Sequence, residues 1–181
     1  LDLGSGDGRL LMLLKKYIKC ECYGIEFSTE GVVKSKKMDI KVIEGNVENI
    51  EMKEWNNKFH IIIMHQLIEH TRFPDELLKK CNSWLVDQGI ISIETPQFNG
   101  LDYMLFKNRN WGGYHFPRHF FIFNQFSLQN LCKKCGFKII KKQSILSPVF
   151  WIHSFHNYFI EKKGYSPISK LFKYNNPILL I

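Results

Sequence analysis

The sequence predicts an α/β fold: a doubly wound, mostly parallel sheet with helices on both faces. Two observations carry this. Short strand-like apolar runs alternate with longer runs of helical spacing along the chain. The runs at residues 60–64 and 90–93 are nearly continuous in Ile, Met and Ser, as in strands that a parallel sheet buries on both faces.

The elements follow in order. Residues 1–3 end a strand, and residues 9–17 are helical with Leu10, Leu11, Leu13 and Leu14 as the apolar face. Residues 22–25 form a strand, and Ser28 caps a helix over 29–38. Strands follow at 41–43 and 60–64. Pro74 opens a helix over 74–85, with Asp75 and Glu76 in its first turn and Leu77, Leu78, Cys81, Trp84 and Leu85 at helical spacing. Gly89 breaks the chain before the strand at 90–93. After Pro96 the rhythm changes. Residues 97–123 hold many aromatics around Gly112-Gly113 and show no clean period, which marks a long functional connection. Asn124 then caps a helix ending at Cys135, Gly136 follows it, and residues 137–142 form a sixth strand. Ser147-Pro148 opens a last helix that runs to about Lys163 and stops at Gly164.

Composition narrows the class. The chain has 181 residues, 45% hydrophobic and 23% charged, which excludes a disordered chain and suits one domain over 1–181. The first residue is Leu1, inside an apolar pattern, and the chain stops in the apolar run Pro177-Ile178-Leu179-Leu180-Ile181, so the expectation is a domain cut at both ends. A net charge of +8 permits nucleic acid or an anionic membrane, but the lysines are spread in pairs over predicted helix faces and ends, as on a solvated surface. Five cysteines, with one isolated Cys132-x-x-Cys135, read as core thiols in a reducing compartment rather than a zinc site. The expected location is therefore cytoplasmic. The last helix carries Phe150, Trp151, Ile152, Phe155, Tyr158, Phe159 and Ile160, a face that packs on the sheet or a second copy, or else rests on a membrane or a lipid-linked acceptor.

The most specific motif is Asp2-Leu3-Gly4-Ser5-Gly6-Asp7-Gly8, between a strand and a helix. Glycines let the backbone turn and approach a ligand, and the helix start aims free N–H groups at it. The glycines stand at 4, 6 and 8, unlike the G-x-G-x-x-G of dinucleotide sites. Asp2 adds a discriminating charge: it repels a diphosphate and attracts a cationic amino-acid head group. Glu26, ending the second strand in Tyr23-Gly24-Ile25-Glu26-Phe27, is placed to accept hydrogen bonds from a ribose diol. Together they describe a ligand with an ammonium at one end and a ribose in its middle.

On these motifs the chain resembles the class I S-adenosylmethionine-dependent methyltransferases, which have a Rossmann-like sheet, and within them the small-molecule group similar to the ubiquinone-biosynthesis O-methyltransferases. The matching stretches are residues 1–8, 23–26, 44–49, 59–70, 85–96 and 120–137. The resemblance implies S-adenosylmethionine as cofactor. It places Asp2 and the backbone at Gly4, Ser5, Gly6 and Gly8 around the methionyl end, Glu26 on the ribose, and Phe27 against adenine. Asn46, where the family usually has Asp, would accept from the adenine amino group beside Val47, and His65 would line the methyl-donor end. A complete fold of this class has seven strands, the last antiparallel. That strand is expected to be missing here.

Acceptor chemistry points to Trp111-Gly112-Gly113-Tyr114-His115-Phe116-Pro117-Arg118-His119, in an acceptor-side lid over residues 97–123. His115 or His119 would take the acceptor's proton and Arg118 would bind an anionic part of it. The alternative is a packed lid whose histidines satisfy buried backbone groups. His70 of Glu69-His70 reads as a structural, cofactor-side residue. No carboxylate pair accompanies the histidines at ligand spacing, so no metal is expected. The expected reaction is methyl transfer to a hydroxyl of a sugar, glycolipid or quinone-like compound. Two other classes remain: a nucleic-acid methyltransferase and a non-catalytic cofactor-binding domain. Against the first, residues 64–67 read Met-His-Gln-Leu rather than an Asn-Pro-Pro-Tyr type of motif. Against the second stand the intact glycines, Asp2 and Glu26.

Overall fold

The structure is a computed structural model that describes residues 1–164. It contains β1 (Asp2–Leu3), α1 (Arg9–Ile18), β2 (Tyr23–Glu26), α2 (Thr29–Lys37), β3 (Lys41–Glu44), β4 (Phe59–His65), α3 (Pro74–Trp84), β5 (Leu85–Glu94), α4 (Leu101–Phe106), α5 (Gln125–Lys134) and α6 (Pro148–Lys163). The chain divides into two compact units, Leu1–Thr95 with Gln129–Lys138, and Pro96–Leu128 with the chain from Ile139.

The first unit is built on a parallel five-stranded sheet in the order β3-β2-β1-β4-β5. The strand order reverses direction at β1, between β2 and β4. In an open parallel sheet this switch point leaves a crevice at the carboxyl ends of the strands. Local sequence explains the elements that frame it. Ser28 Oγ accepts from Gly31 N at 3.3 Å and caps α2. Pro74 starts α3, whose Leu77, Leu78, Cys81 and Trp84 are buried as their spacing predicts. Trp55, Phe59, Trp84 and Tyr23 pack edge to face beneath the sheet's amino ends, with ring centroids 5.1 Å apart for Trp55–Phe59 and 5.3 Å for Trp55–Trp84.

Several expectations are corrected by the structure. First, residues 137–142 form no strand, so the described sheet has five strands rather than six. Phe137 N instead closes the end of α5 on Cys132 O at 3.0 Å, and Ile140 is 71% exposed. An alternating pattern makes a strand only when a neighbour supplies a ladder. Second, β4 and β5 are not buried on both faces. The pleat sends Ile62 and Met64 into the core, whereas Ile61 and its register partner Ile90 are about half exposed. Gly89 lies inside β5, which begins at Leu85, rather than breaking the chain before it. Third, α1 buries Leu11 while Leu10 and Leu13, on the neighbouring stripe, stay open. The expected absence of an antiparallel seventh strand, and the apolar run 177–181, lie outside the described residues.

The second unit closes residues 97–123 into a loop by a bridge between Gln97 and Phe123, with Phe98 N donating to Phe123 O at 2.7 Å. The segment is not irregular throughout, because it contains α4. Trp111, 1% exposed, sits between the rings of Tyr103 and Tyr114, and its Nε1 donates to Asp102 Oδ2 at 2.7 Å. Gly112 N donates to Ser154 Oγ of α6 at 2.8 Å, and a Cβ on Gly112 would lie 2.6 Å from both His153 Cβ and Phe150 O. The loop is thus seated on α6 where only glycine fits. No helix among the described residues is long and apolar enough to cross a membrane.

Candidate active site

At the switch point, β1 delivers Asp2 and the glycine turn. Gly4 N and Ser5 N both donate to Ile25 O, at 2.8 and 3.0 Å, which ties the turn to β2. Gly4, Gly6 and Gly8 all have positive φ, a backbone that side chains resist. A Cβ on Gly6 would meet nothing within 4 Å, so the turn presents bare backbone to open space. Ser5 does the opposite. Its side chain is buried, and its Oγ has no hydrogen-bond partner among the described residues. Any contact from Ser5 to a ligand is therefore through its main chain.

Glu26 at the end of β2 accepts from Gly6 N at 2.8 Å through Oε2 and from Ser28 N at 2.7 Å through Oε1. Each oxygen holds one backbone donor and retains a second lone pair for a ligand hydroxyl. The carboxylate also fixes the turn against the start of α2. Gly31 makes this approach possible, since a Cβ there would lie 2.7 Å from Gly6 O and 3.0 Å from Glu26 Cγ.

Asp2 is 5% exposed. Burial pushes its carboxyl up to about 6, the Leu1 amino group offsets part of this, and the charge of Glu26 adds to it. A buried carboxylate carries a desolvation penalty that a cationic ligand would help to relieve.

The remaining predicted cofactor residues lie at the carboxyl ends of β2, β3 and β4. Phe27 is 77% exposed just beyond Glu26. Asn46 is exposed, Val47 is buried, and Asn46 Oδ1 accepts from Glu48 N at 2.9 Å. His65 ends β4, with Nε2 3.0 Å from Ser92 Oγ on β5. Beyond it Gln66, at φ 53°, donates from N to Glu94 O and from Nε2 to Glu94 Oε1. Glu69 is 1% exposed. Burial holds its carboxyl above the usual range, Thr95 Oγ1 donates to its Oε2 at 2.8 Å, and its Oε1 has no partner among the described residues.

In the second unit His115, Arg118 and His119 lie on one turn, with Arg118 N donating to His115 O. The rings of His115 and His119 are perpendicular at 5.1 Å, and His153 of α6 stacks on His115 at 6.3 Å. His119 Nδ1 is 2.8 Å from Gly113 O. A carbonyl only accepts, so Nδ1 donates the hydrogen in this contact. Burial lowers the His153 pKa, and the charges of His115 and His156 add to this.

A family described as methyltransferase domain matches residues 1–142. The chain belongs to this methyltransferase family. The match covers the whole glycine turn and every strand of the sheet. Among curated proteins, the chain is 32% identical over 102 residues to (S)-coclaurine N-methyltransferase of Papaver somniferum and 31% over 99 residues to pavine N-methyltransferase of Thalictrum flavum subsp. glaucum. Each match covers 52% of this chain and 28% of the relative, so the chain spans well under half of those proteins. Among solved structures, it superposes on a SAM-dependent methyltransferase from Archaeoglobus fulgidus with a TM-score of 0.61 at 20% identity, covering 89% of this chain and 76% of that one.

The cofactor of this family is S-adenosylmethionine, and the turn fits it. It offers open backbone at Gly6, a buried carboxyl at Asp2 and, at Glu26, a carboxylate whose two oxygens each hold one backbone donor. Three supporting residues escaped the sequence reading: Gly31, Glu48 and Glu94. Only Gly31 left a signal there, as a glycine in the first turn of a capped helix.

Proposed function

We propose that this chain is the cofactor-binding and catalytic part of an S-adenosylmethionine-dependent methyltransferase that methylates a hydroxyl of a small molecule, such as a sugar, glycolipid or quinone-like compound. The observation that carries the reading is Glu26, which anchors the open glycine turn and keeps lone pairs for a ribose. The bound cofactor supplies an electrophilic methyl group on a sulfonium.

Within the chain, Asp2 holds the methionyl ammonium and Glu26 the ribose diol, while Phe27 lies against adenine and Asn46 accepts from its amino group. His65 borders the donor end. Residues 97–123 serve the acceptor. His119, whose Nδ1 faces Gly113 O, takes the hydroxyl proton, with His115 as the other candidate, and Arg118 binds an anionic part of the acceptor. Packing of Trp111 between Tyr103 and Tyr114, and of Gly112 against α6, holds this turn in one shape.

One observation supports a second reading, an amine acceptor. The buried Glu69 and the half-buried Glu94 stand at the carboxyl ends of β4 and β5, where carboxylates suit a cation, and the two curated relatives are named N-methyltransferases. Incubating the full-length protein with methyl-labelled cofactor and separate pools of amines and of hydroxyl-bearing sugars, lipids and phenols decides between them. Label in the hydroxyl pool supports the first reading, and label only in the amine pool replaces it with the second. A third pool of nucleic acid is run beside them, and label there alone refutes both.

A further inference from the structure

The loop that follows β3 is held by a clamp from α3 that neither the cofactor motif nor the acceptor turn uses. Lys80 is a lysine whose side chain is only 15% exposed. Its ammonium donates to Glu48 O and Ile50 O, both at 3.0 Å, and pairs with Glu51 Oε1 at 2.9 Å. All three of its hydrogens are thereby engaged. From the same loop, Glu48 Oε1 accepts from Arg72 N at 2.8 Å and from Phe73 N at 2.9 Å, at the start of α3. The loop is gripped at two places, one anionic against the helix start and one cationic from its second turn.

The grip reaches Asn46. Its Oδ1 accepts from Glu48 N at 2.9 Å and its carbonyl accepts from Asn49 N at 3.0 Å. Lys80 fixes the peptide plane on the far side of Glu48, and that residue's N–H aims the Asn46 amide. A neutral amide is a weaker acceptor than the carboxylate usual at this place. A fixed direction then counts for more, because a free amide turns its NH₂ and its carbonyl towards a ligand equally well.

We propose that Lys80 is a positioning residue for the adenine end of the cofactor site, and that it lets Asn46 select an amino-bearing purine. This rests on the reading that Asn46 meets the adenine amino group.

The test is calorimetric titration of the full-length protein with S-adenosylhomocysteine and with S-inosylhomocysteine, whose purine lacks that amino group. The parent should prefer the adenosyl ligand by about fivefold to tenfold, the worth of one net hydrogen bond. Lys80→Met should reduce the preference to about twofold or less by weakening the adenosyl ligand alone, and Lys80→Arg should keep it. Glu48→Ala, an independent release of the same loop, should reproduce the collapse if Lys80→Met does not fold. Equal weakening of both ligands in these variants, or an unchanged preference, overturns the proposal. Absence of any preference in the parent, or its survival in Asn46→Ala, removes the adenine reading itself and the proposal with it. That outcome is visible before Lys80 is altered.

Discussion

Replacing Asp2 by Asn should stabilise the cofactor-free protein and weaken its grip on the cofactor. The Asp2 carboxyl is 5% exposed and is pushed up to about 6 from 3.8, chiefly by burial. Two pKa units, at 1.36 kcal/mol each, are on the order of 3 kcal/mol held against the charged form in the fold. The sign follows from proton counting. Between about pH 4 and 6 the fold binds more protons at this site than the unfolded chain does. Stability therefore falls as pH rises through that window, and the penalty is complete above about 6. Asn is isosteric and uncharged, so Asp2→Asn should gain about 1–3 kcal/mol at pH 8 and little at pH 4, several degrees in melting temperature. The same change removes a charge-assisted contact to the ligand's ammonium and should weaken S-adenosylhomocysteine binding about 10- to 100-fold. Thermal melts of both proteins from pH 4 to 8, with titration calorimetry at pH 8, check both halves. A variant less stable than the parent at pH 8, or a stability difference that does not change with pH, would refute the reasoning.

Other predictions concern the turn and the acceptor residues. Gly31→Ala adds a methyl 2.7 Å from Gly6 O, so it should weaken cofactor binding by about 1–3 kcal/mol despite alanine's better helix propensity, measured by the same titration. His119→Ala should lower turnover ~10²–10⁴-fold with cofactor affinity nearly intact, and parental turnover in both His119→Ala and His115→Ala would leave the turn structural. Arg118→Ala should raise the acceptor KM more than it lowers turnover, in steady-state assays once the acceptor is known.

Local signals were the ones legible in the sequence. Ser28 as a cap, Pro74 as a helix start, the spacing of Leu77, Leu78, Cys81 and Trp84, and Gly136 after α5 each depend on neighbours within a few residues, and the structure shows each of them. The places of Asp2 and Glu26 were legible because their positions on β1 and at the end of β2 set them in space, with Gly6 in the turn that follows β1. Features that depend on distant partners were not. Residues 137–142 alternate like a strand but find no ladder, and the covered face of β4 is a property of the whole sheet. Ser5 belongs to the glycine motif, yet turns its hydroxyl inward under Gly24, a neighbour that only β2 pairing reveals. Lys80 reads as one more surface lysine, since its partners lie about 30 residues away.

The central claim is that the turn from Asp2 to Gly8, with Glu26, is a site for S-adenosylmethionine and not for a dinucleotide. Titration calorimetry of the full-length protein and of its Glu26→Ala variant, each against S-adenosylhomocysteine and NAD, tests it most directly. S-adenosylhomocysteine should bind the parent, Glu26→Ala should weaken it by about 1–3 kcal/mol, and NAD should bind neither. Tight NAD binding, or S-adenosylhomocysteine binding that ignores the loss of Glu26, would contradict the claim.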